Sequence, residues 1–485
     1  MIEHELVIGK YTLESLTNGM YASPLDLYRE YIQNAVDSID SAQYIKLERA
    51  KDLRIDININ EESRVVSIRD NGCGISSVNA VSTLIDIGNS TKSRTLNRGF
   101  RGIGRLAGLG YCSELVFTTS MAGENVKSII AFNAELLHDL LLINEQESVS
   151  VSDVMNQVIS ISVLPEKDHK HYFEVKLIGV HDSDGLLDEL LVKDYLLQHA
   201  PLPYSMDFKW RRTVHEKVRL AGYVIPSYNI SLNGDALFKP YRDNFVSDRV
   251  KKVEDYIQDI IVKPFYRDNV LIAILWYAKS SFFGTINDNT IKGIRIRQGN
   301  ILIGDKTTCN SLFKEERFNG WLIGELHVID PDLIVNSRRD NFEKNQSYHC
   351  LVNAFKEWTN VISKDIRRIS YERSLTRERK AIVEAQYFED VNDLCNEDLS
   401  FAEETAEIDF LDSGESEIIA ESDYIGKLSV LLGQKKAQTK YRALNINTKL
   451  TMEQRKVLER VFDLIQQEFS RDQAEMFINT IAKNF

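Results

Sequence analysis

The chain has 485 residues, 43% hydrophobic and 27% charged, which is the composition of a globular protein with room for about three domains. Its formal net charge is −13, but residues 396–423 hold eleven Asp and Glu and no Lys or Arg, so about −2 is left for the rest. That balance argues against a strong field over the folded body. The acidic stretch is predicted to be a solvated linker, with a partner-binding segment as the alternative.

Cysteine usage and hydropathy limit the cellular context. The five cysteines lie far apart and form no Cys-x-x-Cys pair, which predicts reduced thiols and argues against a disulfide framework or a zinc cage. The N-terminus reads as no signal peptide, and the longest apolar run, 270–278, is half the length of a membrane span. We therefore expect a cytoplasmic protein without membrane contact, and a buried strand at 270–278.

A first domain, 1–184, is predicted to mix helices and strands. A helix begins at about Pro24, where Ser23 can cap it, and a second helix lies around 77–87. Between and after them, runs of β-forming residues predict strands at 53–59, 64–70, 114–120 and 172–180.

The rest of the chain is predicted to contain a second α/β domain and a helical end. Helix and strand alternate over 185–345, with a β-rich stretch at 293–305. A helical region at 346–395 carries an apolar stripe at 351–366, and the acidic linker leads to a helical tail, 424–485. The tail has eleven Lys and Arg against six Asp and Glu. Nucleic-acid contact is one interpretation, but without interleaved aromatics a dimerising or self-docking helical pair is favoured.

The first helix carries three polar residues on one face. "LYREYIQNAVDSID" places Glu30, Asn34 and Asp37 at positions i, i+4 and i+7. A surface helix can show this spacing by chance. The stretch "RDNGCGI" then ends a strand with Asp70, Gly72 and Gly74, which a hairpin turn would also explain.

A glycine-rich segment follows. "GFRGIGRLAGLGYC", residues 99–112, has five glycines and precedes a predicted helix, and it comes after the hydroxyl- and lysine-bearing "DIGNSTKSR" at 86–94. It has neither the Lys-Ser ending of a P-loop nor the preceding strand of a dinucleotide fingerprint.

Taken in this order, the three segments resemble the ATP-binding domain of the GHKL superfamily, which gyrase, the heat-shock-90 chaperone, sensor histidine kinases and mismatch-repair ATPases share. The resemblance implies an α+β fold: a Bergerat-type α/β sandwich that binds ATP, followed by an α/β middle domain and a helical C-terminal region. The glycines would form a mobile lid, and the helix after them would offer backbone N–H groups to phosphate.

The resemblance also implies roles for individual residues. Asn34 would ligate Mg²⁺, and Glu30 would orient or deprotonate the attacking water. Asp70 would accept a hydrogen bond from the adenine amino group, and Gly74 would leave room for the base. The remaining nucleotide-binding positions would be Asp37, Gly72, Lys92, Gly99, Gly102, Gly104 and Arg105. One departure is that Tyr172 and Phe173 stand where the family often has a Gly-Thr pair near adenine.

The second half resembles the middle domain of the heat-shock-90 family. "IKGIRIRQGNILIGD" (291–305) is similar to its strand pair, and "DPDLIVNSRRDNFEKN" (330–345) is similar to its Leu-x-x-Asn-x-x-Arg-Glu segment. Aligning Leu333 and Asn336 places Arg339 on the arginine that reaches the γ-phosphate, with Arg338 as a rival. A solvated basic turn is the alternative.

The sequence thus favours a Mg·ATP-dependent clamp of the heat-shock-90 type, with ATP and Mg²⁺ as cofactors and a protein client or a bacterial-defence role. A DNA-engaging GHKL ATPase of the topoisomerase or chromatin-remodelling branch is the alternative, and a pseudo-ATPase scaffold is a third class that the intact Glu30 disfavours. A homodimer is expected from the unpaired apolar faces at 351–366 and 448–484 and from an exchangeable N-terminal strand, "ELVIG". A monomer with a folded-back tail is the alternative. A histidine kinase is excluded because only His4 lies upstream of the ATP domain.

Overall fold

A computed structural model describes residues 23–49, 51–85, 104–142, 151–181, 185–248, 251–336 and 338–398. The chain divides into two units, Met1–Glu372 and Arg373–Phe485. No helix within the described part of the chain combines the length and the apolar character that a membrane crossing requires.

An eight-stranded sheet forms the first half of the first unit. Its spatial order is β5-β4-β3-β6-β2-β1-β7-β8, and every pair is antiparallel except β1 and β7. The strands are β1 (Arg54–Asn60), β2 (Val65–Asp70), β3 (Glu114–Ser120), β4 (Val126–Asn133), β5 (Ile159–Pro165), β6 (Tyr172–Ile178), β7 (Asn229–Leu232) and β8 (Asp235–Ala236).

Helices contribute side chains to a core shared with this sheet. They are α1 (Asp26–Tyr44), α2 (Ser77–Ile85), α3 (Ala134–Leu142), α4 (Val151–Val158) and α5 (Glu189–His199). Thirteen of the nineteen residues of α1 are buried, so α1 is a core helix and the surface-helix alternative is wrong. The N-cap position of α1 is Leu25, which makes no side-chain cap, and Ser23 contributes only its backbone carbonyl.

Alternation along the strands explains why a carboxylate lies in this core. In β2 the side chains of Val66, Ile68 and Asp70 are buried in turn, since every second residue of a strand faces the same way. Asp70 therefore ends the apolar row of its strand. Its carboxylate contacts Ser38 of α1, beside the predicted nucleotide site.

A second sheet follows in the order β11-β12-β15-β13-β14, with a parallel pair between β13 and β15. Helix α6 (Arg211–Leu220) precedes it, and its strands are β11 (Asp259–Arg267), β12 (Val270–Lys279), β13 (Gly293–Gln298), β14 (Ile301–Ile303) and β15 (Ile323–Val328). A separate pair is formed by β9 (Asn244–Ser247) and β10 (Val253–Tyr256). The 270–278 run is buried in β12, as predicted.

The centre of the second sheet holds a buried ionic cluster. The carboxylate of Glu325 accepts hydrogen bonds from Arg297 and Lys239, at 2.5 and 2.8 Å, and from Tyr204 at 2.7 Å. All four side chains are buried, and the two cations hold the pKa of Glu325 well below its usual range. The two cations share one carboxylate, and burial lowers the pKa of Lys239 to about 7, so removing Glu325 would leave both cations buried without this partner.

Helix α7 (Gln346–Asp398) begins against the second sheet. Its apolar stripe is buried in the second core among β12, β13 and β15 residues: Leu351, Phe355, Trp358, Ile362 and Ile366. The expectation that the 351–366 stripe is an unpaired face is therefore wrong, because this chain's own sheet covers it.

The fold is the predicted α+β class, a sandwich of helices on a sheet followed by a second α/β layer. The boundary near residue 185 stays a prediction, and β7 and β8, which come after it, extend the first sheet. The linker 396–423 and the tail 424–485 lie almost wholly outside the described residues.

Candidate nucleotide site

The polar face of α1 lies at the centre of the candidate site. Glu30 is 7% exposed, Asp37 is also buried, and Asn34 is half-buried. Tyr31, the neighbour of Glu30, ties the helix to a 3₁₀ helix at Gly104–Gly110 by accepting a hydrogen bond from the Gly108 N–H at 2.8 Å. The sequence predicted a helix after the glycines. The structure instead has this seven-residue 3₁₀ helix inside the glycine-rich segment, and strand β3 follows it at Glu114.

Glu30 meets the arginine that the sequence singled out. The Nε atom of Arg339 lies 2.5 Å from Glu30 Oε1, across 309 residues of sequence. Arg29 lies on the other side, with its Nε 3.9 Å from the same oxygen. The carboxylate thus stands between two guanidinium groups, one on its own helix and one from the loop after the second sheet.

The loop that carries Arg339 is a tight turn. Val335 and Phe342 form an isolated bridge across it, and the Asn336 side chain donates to Asp340 at 2.6 Å. Arg339 has a left-handed backbone, with φ of 56°. Its side chain is partly buried, whereas that of Arg338 is exposed. The turn therefore directs Arg339, and not Arg338, toward α1.

Asp70 forms the second corner of the site and is 2% exposed. Its Oδ1 accepts hydrogen bonds from the Ser38 hydroxyl and the Gly72 N–H, both at 2.9 Å. A Cβ at Gly72 would lie 2.2 Å from the Ser38 hydroxyl. Glycine is therefore needed at 72 for this close approach of the turn to α1.

The turn after Asp70 is held from several sides by residues that the sequence did not single out. The Thr119 hydroxyl accepts from the Ile75 N–H at 2.7 Å, and His171 Nδ1 lies 2.7 Å from the Gly72 carbonyl. Gly74 has φ of 66°, and a Cβ there would lie 2.0 Å from the Ser120 carbonyl. The turn after Asp70, which we call the base corner, is thus fixed by contacts with β3 and with the residue before β6, and these contacts have no local signal in the sequence.

The pairing of β6 shows where Tyr172 and Phe173 lie, the two residues that replace the family's frequent Gly-Thr pair. Phe173 pairs with Asp70 on one side and with Thr119 on the other, so it lies between them in the sheet. Its ring stacks on Phe117 at a centroid distance of 5.9 Å. An aromatic ring therefore takes the place next to Asp70.

Gly104 lies directly against Glu30. A Cβ at this position would be 2.5 Å from Glu30 Oε2. The guanidinium of the next residue, Arg105, donates to the Thr83 carbonyl of α2. Three further predicted residues, Lys92, Gly99 and Gly102, lie outside the described residues.

The residues near α1 that could ligate a metal ion indicate which kind of ion would fit. Within the described ranges, no three His, Cys, Asp or Glu side chains are grouped as metal ligands. One amide oxygen on a half-buried helix position fits an ion that takes most of its ligands from phosphates and water, as Mg²⁺ does.

Comparison with known proteins agrees with this geometry. Residues 28–160 match the family described as "Histidine kinase-, DNA gyrase B-, and HSP90-like ATPase". The chain is 29% identical over 130 residues to the chaperone protein HtpG of Wolinella succinogenes and 29% identical over 135 residues to that of Anaplasma marginale. It is 34% identical over 87 residues to the HtpG of Legionella pneumophila strain Lens.

These matches cover 23%, 25% and 17% of this chain, and 21%, 21% and 14% of the relatives. The chain thus spans about a fifth of the length of the curated relatives it matches. The matched family segment contains α1, the Asp70 turn and the 3₁₀ helix, which are the parts that build the site. The segment 28–160 therefore belongs to the histidine kinase-, DNA gyrase B- and HSP90-like ATPase family.

Proposed function

We propose that the protein is a Mg·ATP-dependent conformational clamp of the heat-shock-90 type. The observation that carries the proposal is the contact between Glu30 on α1 and Arg339 on the turn after the second sheet. A base and a cation from distant parts of the chain meet where the γ-phosphate would lie, so hydrolysis would depend on how the second sheet stands against the first.

ATP would be held at two places along α1, with its base near Asp70 and its phosphates near Asn34. The Asp70 carboxylate, whose Oδ1 accepts from Ser38 and Gly72, would accept a further hydrogen bond from the adenine amino group. Asn34, one turn after Glu30, would hold Mg²⁺, which supplies charge neutralisation of the phosphates. Asp37 lies on the same helix face, close to the base corner.

In the hydrolytic step Glu30 would take a proton from the attacking water as its oxygen bonds to the γ-phosphorus. The bond from that phosphorus to the β,γ-bridging oxygen breaks, and ADP leaves. Arg339 would move from the Glu30 carboxylate to the γ-phosphoryl oxygens, where it stabilises the developing charge.

The wider role follows from the relatives and stays part of the proposal. As a chaperone-like clamp, the protein would act on a protein client and form a homodimer. It would work in the cytoplasm, with bacterial defence as one role. The HtpG relatives bear the name chaperone, and the match covers 21% of the length of each of the first two.

Replacement of Glu30 tests the base. Glu30→Ala should bind ATP with wild-type affinity in calorimetry and release phosphate about 10²–10⁴-fold more slowly, the usual contribution of positioned acid–base catalysis. Wild-type turnover in this variant would remove Glu30 from the mechanism.

Replacement of the two neighbouring arginines tests the cation. Arg339→Ala should lower phosphate release on the order of 10²–10³-fold, the cost of one lost charge-stabilising donor. The matched control is Arg338→Ala, because the Arg338 side chain is exposed and should matter little. If the Arg338 variant is the slower of the two, the assignment of Arg339 is wrong.

A further inference from the structure

Arg29 joins the two halves of the candidate site. Its guanidinium is buried and lies 3.9 Å from Glu30 and 3.3 Å from Asp26. Its Nη2 also donates to the Arg338 carbonyl at 3.4 Å, in the turn that presents Arg339. One side chain thus contacts the base, a second carboxylate and the backbone of the arginine turn.

Asp26 and Glu30 both contact this guanidinium, and Asp26 is the nearer of the two. It lies one helical turn before Glu30 and is buried. Its Oδ1 is the atom nearest Arg29, and the same oxygen accepts from the Tyr195 hydroxyl at 2.9 Å. Burial holds the pKa of Tyr195 well above its usual range, so the hydroxyl remains a donor.

Tyr195 belongs to α5, which is tied to the second sheet. The next turn of α5 contains Gln198, whose side-chain oxygen accepts from Arg295 at 2.9 Å and whose backbone carbonyl accepts from Arg297 at 2.9 Å. Helix α5 therefore makes polar contacts with Arg295 and Arg297 of the second sheet through Gln198, and with Asp26 of α1 through Tyr195.

We propose that Asp26 and Tyr195 are positioning residues: they hold Arg29 against the Arg338 carbonyl and leave the Glu30 carboxylate to Arg339. Without the Asp26 carboxylate, the buried Arg29 guanidinium loses its 3.3 Å ion pair and keeps the 3.9 Å contact with Glu30, so its hold on the arginine turn weakens. The catalytic consequence rests on the proposed function. The anchoring of the turn does not depend on hydrolysis.

The chain provides a matched pair of tyrosines for the test. Tyr195→Phe removes the hydroxyl that holds Asp26 near the start of α1. Tyr228→Phe removes a hydroxyl that donates to Asp40 at 2.6 Å, near the end of the same helix and away from Glu30. Both variants of the full chain keep their rings, and urea unfolding checks that each is folded. Asp26→Asn and Asp26→Glu add a charge deletion and its conservative counterpart.

Two readouts separate positioning from a structural role. In nucleotide-free protein, hydrogen exchange of the backbone amides at 338–341 should rise at least about fivefold in Tyr195→Phe and Asp26→Asn, and stay at the wild-type rate in Tyr228→Phe. With ATP, kcat should fall about tenfold in the first two variants while KM changes less than about twofold, and Asp26→Glu should recover part of the loss. These factors correspond to one buried hydrogen bond of about 1–1.5 kcal/mol.

The outcomes are decisive in both directions. Wild-type exchange at the arginine turn in Tyr195→Phe and Asp26→Asn would overturn the inference, as would an equal effect of Tyr228→Phe. A wild-type protein that binds ATP but does not hydrolyse it would refute the proposed function, and the exchange measurement would still decide whether Asp26 and Tyr195 anchor the turn.

Discussion

The Glu30 carboxylate is closely surrounded by other groups of the site. Arg339 and Arg29 flank it, and Gly104 approaches it so closely that a Cβ would lie 2.5 Å from its oxygen. Any side chain at 104 would therefore have to displace the Glu30 carboxylate from its position beside Arg339. The sequence attributed this glycine to the lid, and the structure adds a steric reason.

Asp70 gives a prediction at the same scale. Asp70→Asn keeps an oxygen for Ser38 and Gly72 but presents an amide N–H₂ to the adenine amino group, so two donors would face each other. A mismatched buried polar pair costs about 1–3 kcal/mol, or about 5- to 150-fold in affinity. Calorimetric titration with ATP measures this.

The control for Asp70→Asn is Ser38→Ala, which removes one donor from Oδ1 and leaves the carboxylate in place. It should weaken ATP binding less than Asp70→Asn does. Equal affinity of wild type and Asp70→Asn would remove Asp70 from the base pocket.

Among the elements, α5 carries the half-buried His199 and β15 the buried His327, and both link stability to pH. Burial lowers the pKa of His199 to about 3 and that of His327 to about 4. In the unfolded chain both return to about 6.5. Below pH 6.5 the unfolded state therefore binds more protons than the folded state, and stability falls as the pH falls.

The expected loss is up to about 1.4 kcal/mol per pH unit for each histidine between pH 6.5 and its folded pKa. Urea unfolding at pH 7 and pH 5 measures it. His199→Gln should reduce the pH slope, whereas His169→Gln, at an exposed position, should leave it unchanged. Equal stability at the two pH values would show that the two histidines do not control unfolding.

Sequence patterns located most elements because their signals are local. Runs of β-forming residues predicted β1, β2, β3 and β6, and a continuous apolar run predicted β12, since both patterns depend only on neighbouring residues. The same reasoning misassigned the stripe on α7. Periodicity shows that a helix has an apolar face, but the partner of that face is a long-range contact.

At the scale of the whole molecule, the burial of the α7 stripe changes the basis of the dimer prediction. That stripe is covered by the second sheet, so the helical tail at 448–484 and the N-terminal strand remain as the candidate contacts, and both lie outside the described residues. We still expect a homodimer whose contacts lie mainly in the tail.

Light scattering on the full chain and on a 1–423 truncation, each with and without a non-hydrolysable ATP analogue, tests this. The full chain should be a dimer and the truncation a monomer at micromolar concentration, with ATP analogue tightening the full-length dimer. A full chain that stays monomeric in all conditions would favour a tail folded back on its own chain. Salt-dependent DNA binding that the analogue modulates would instead support the DNA-engaging alternative.

The sequence by itself determined the family of the first domain and the identity of its main polar residues. Glu30, Asn34, Asp37, Asp70 and the glycines lie in short segments whose spacing fixes which side chains share a helix face or end a strand. Only the tertiary structure decided that Arg339, and not Arg338, reaches Glu30. It also showed that Ser38, Thr119 and His171 contact Asp70 and the turn after it. The contacts of Asp26 with Arg29 and Tyr195 came from the same source. These contacts join residues up to 309 positions apart, and no local period or propensity encodes a distance of that kind, because it is set by how sheets and helices pack.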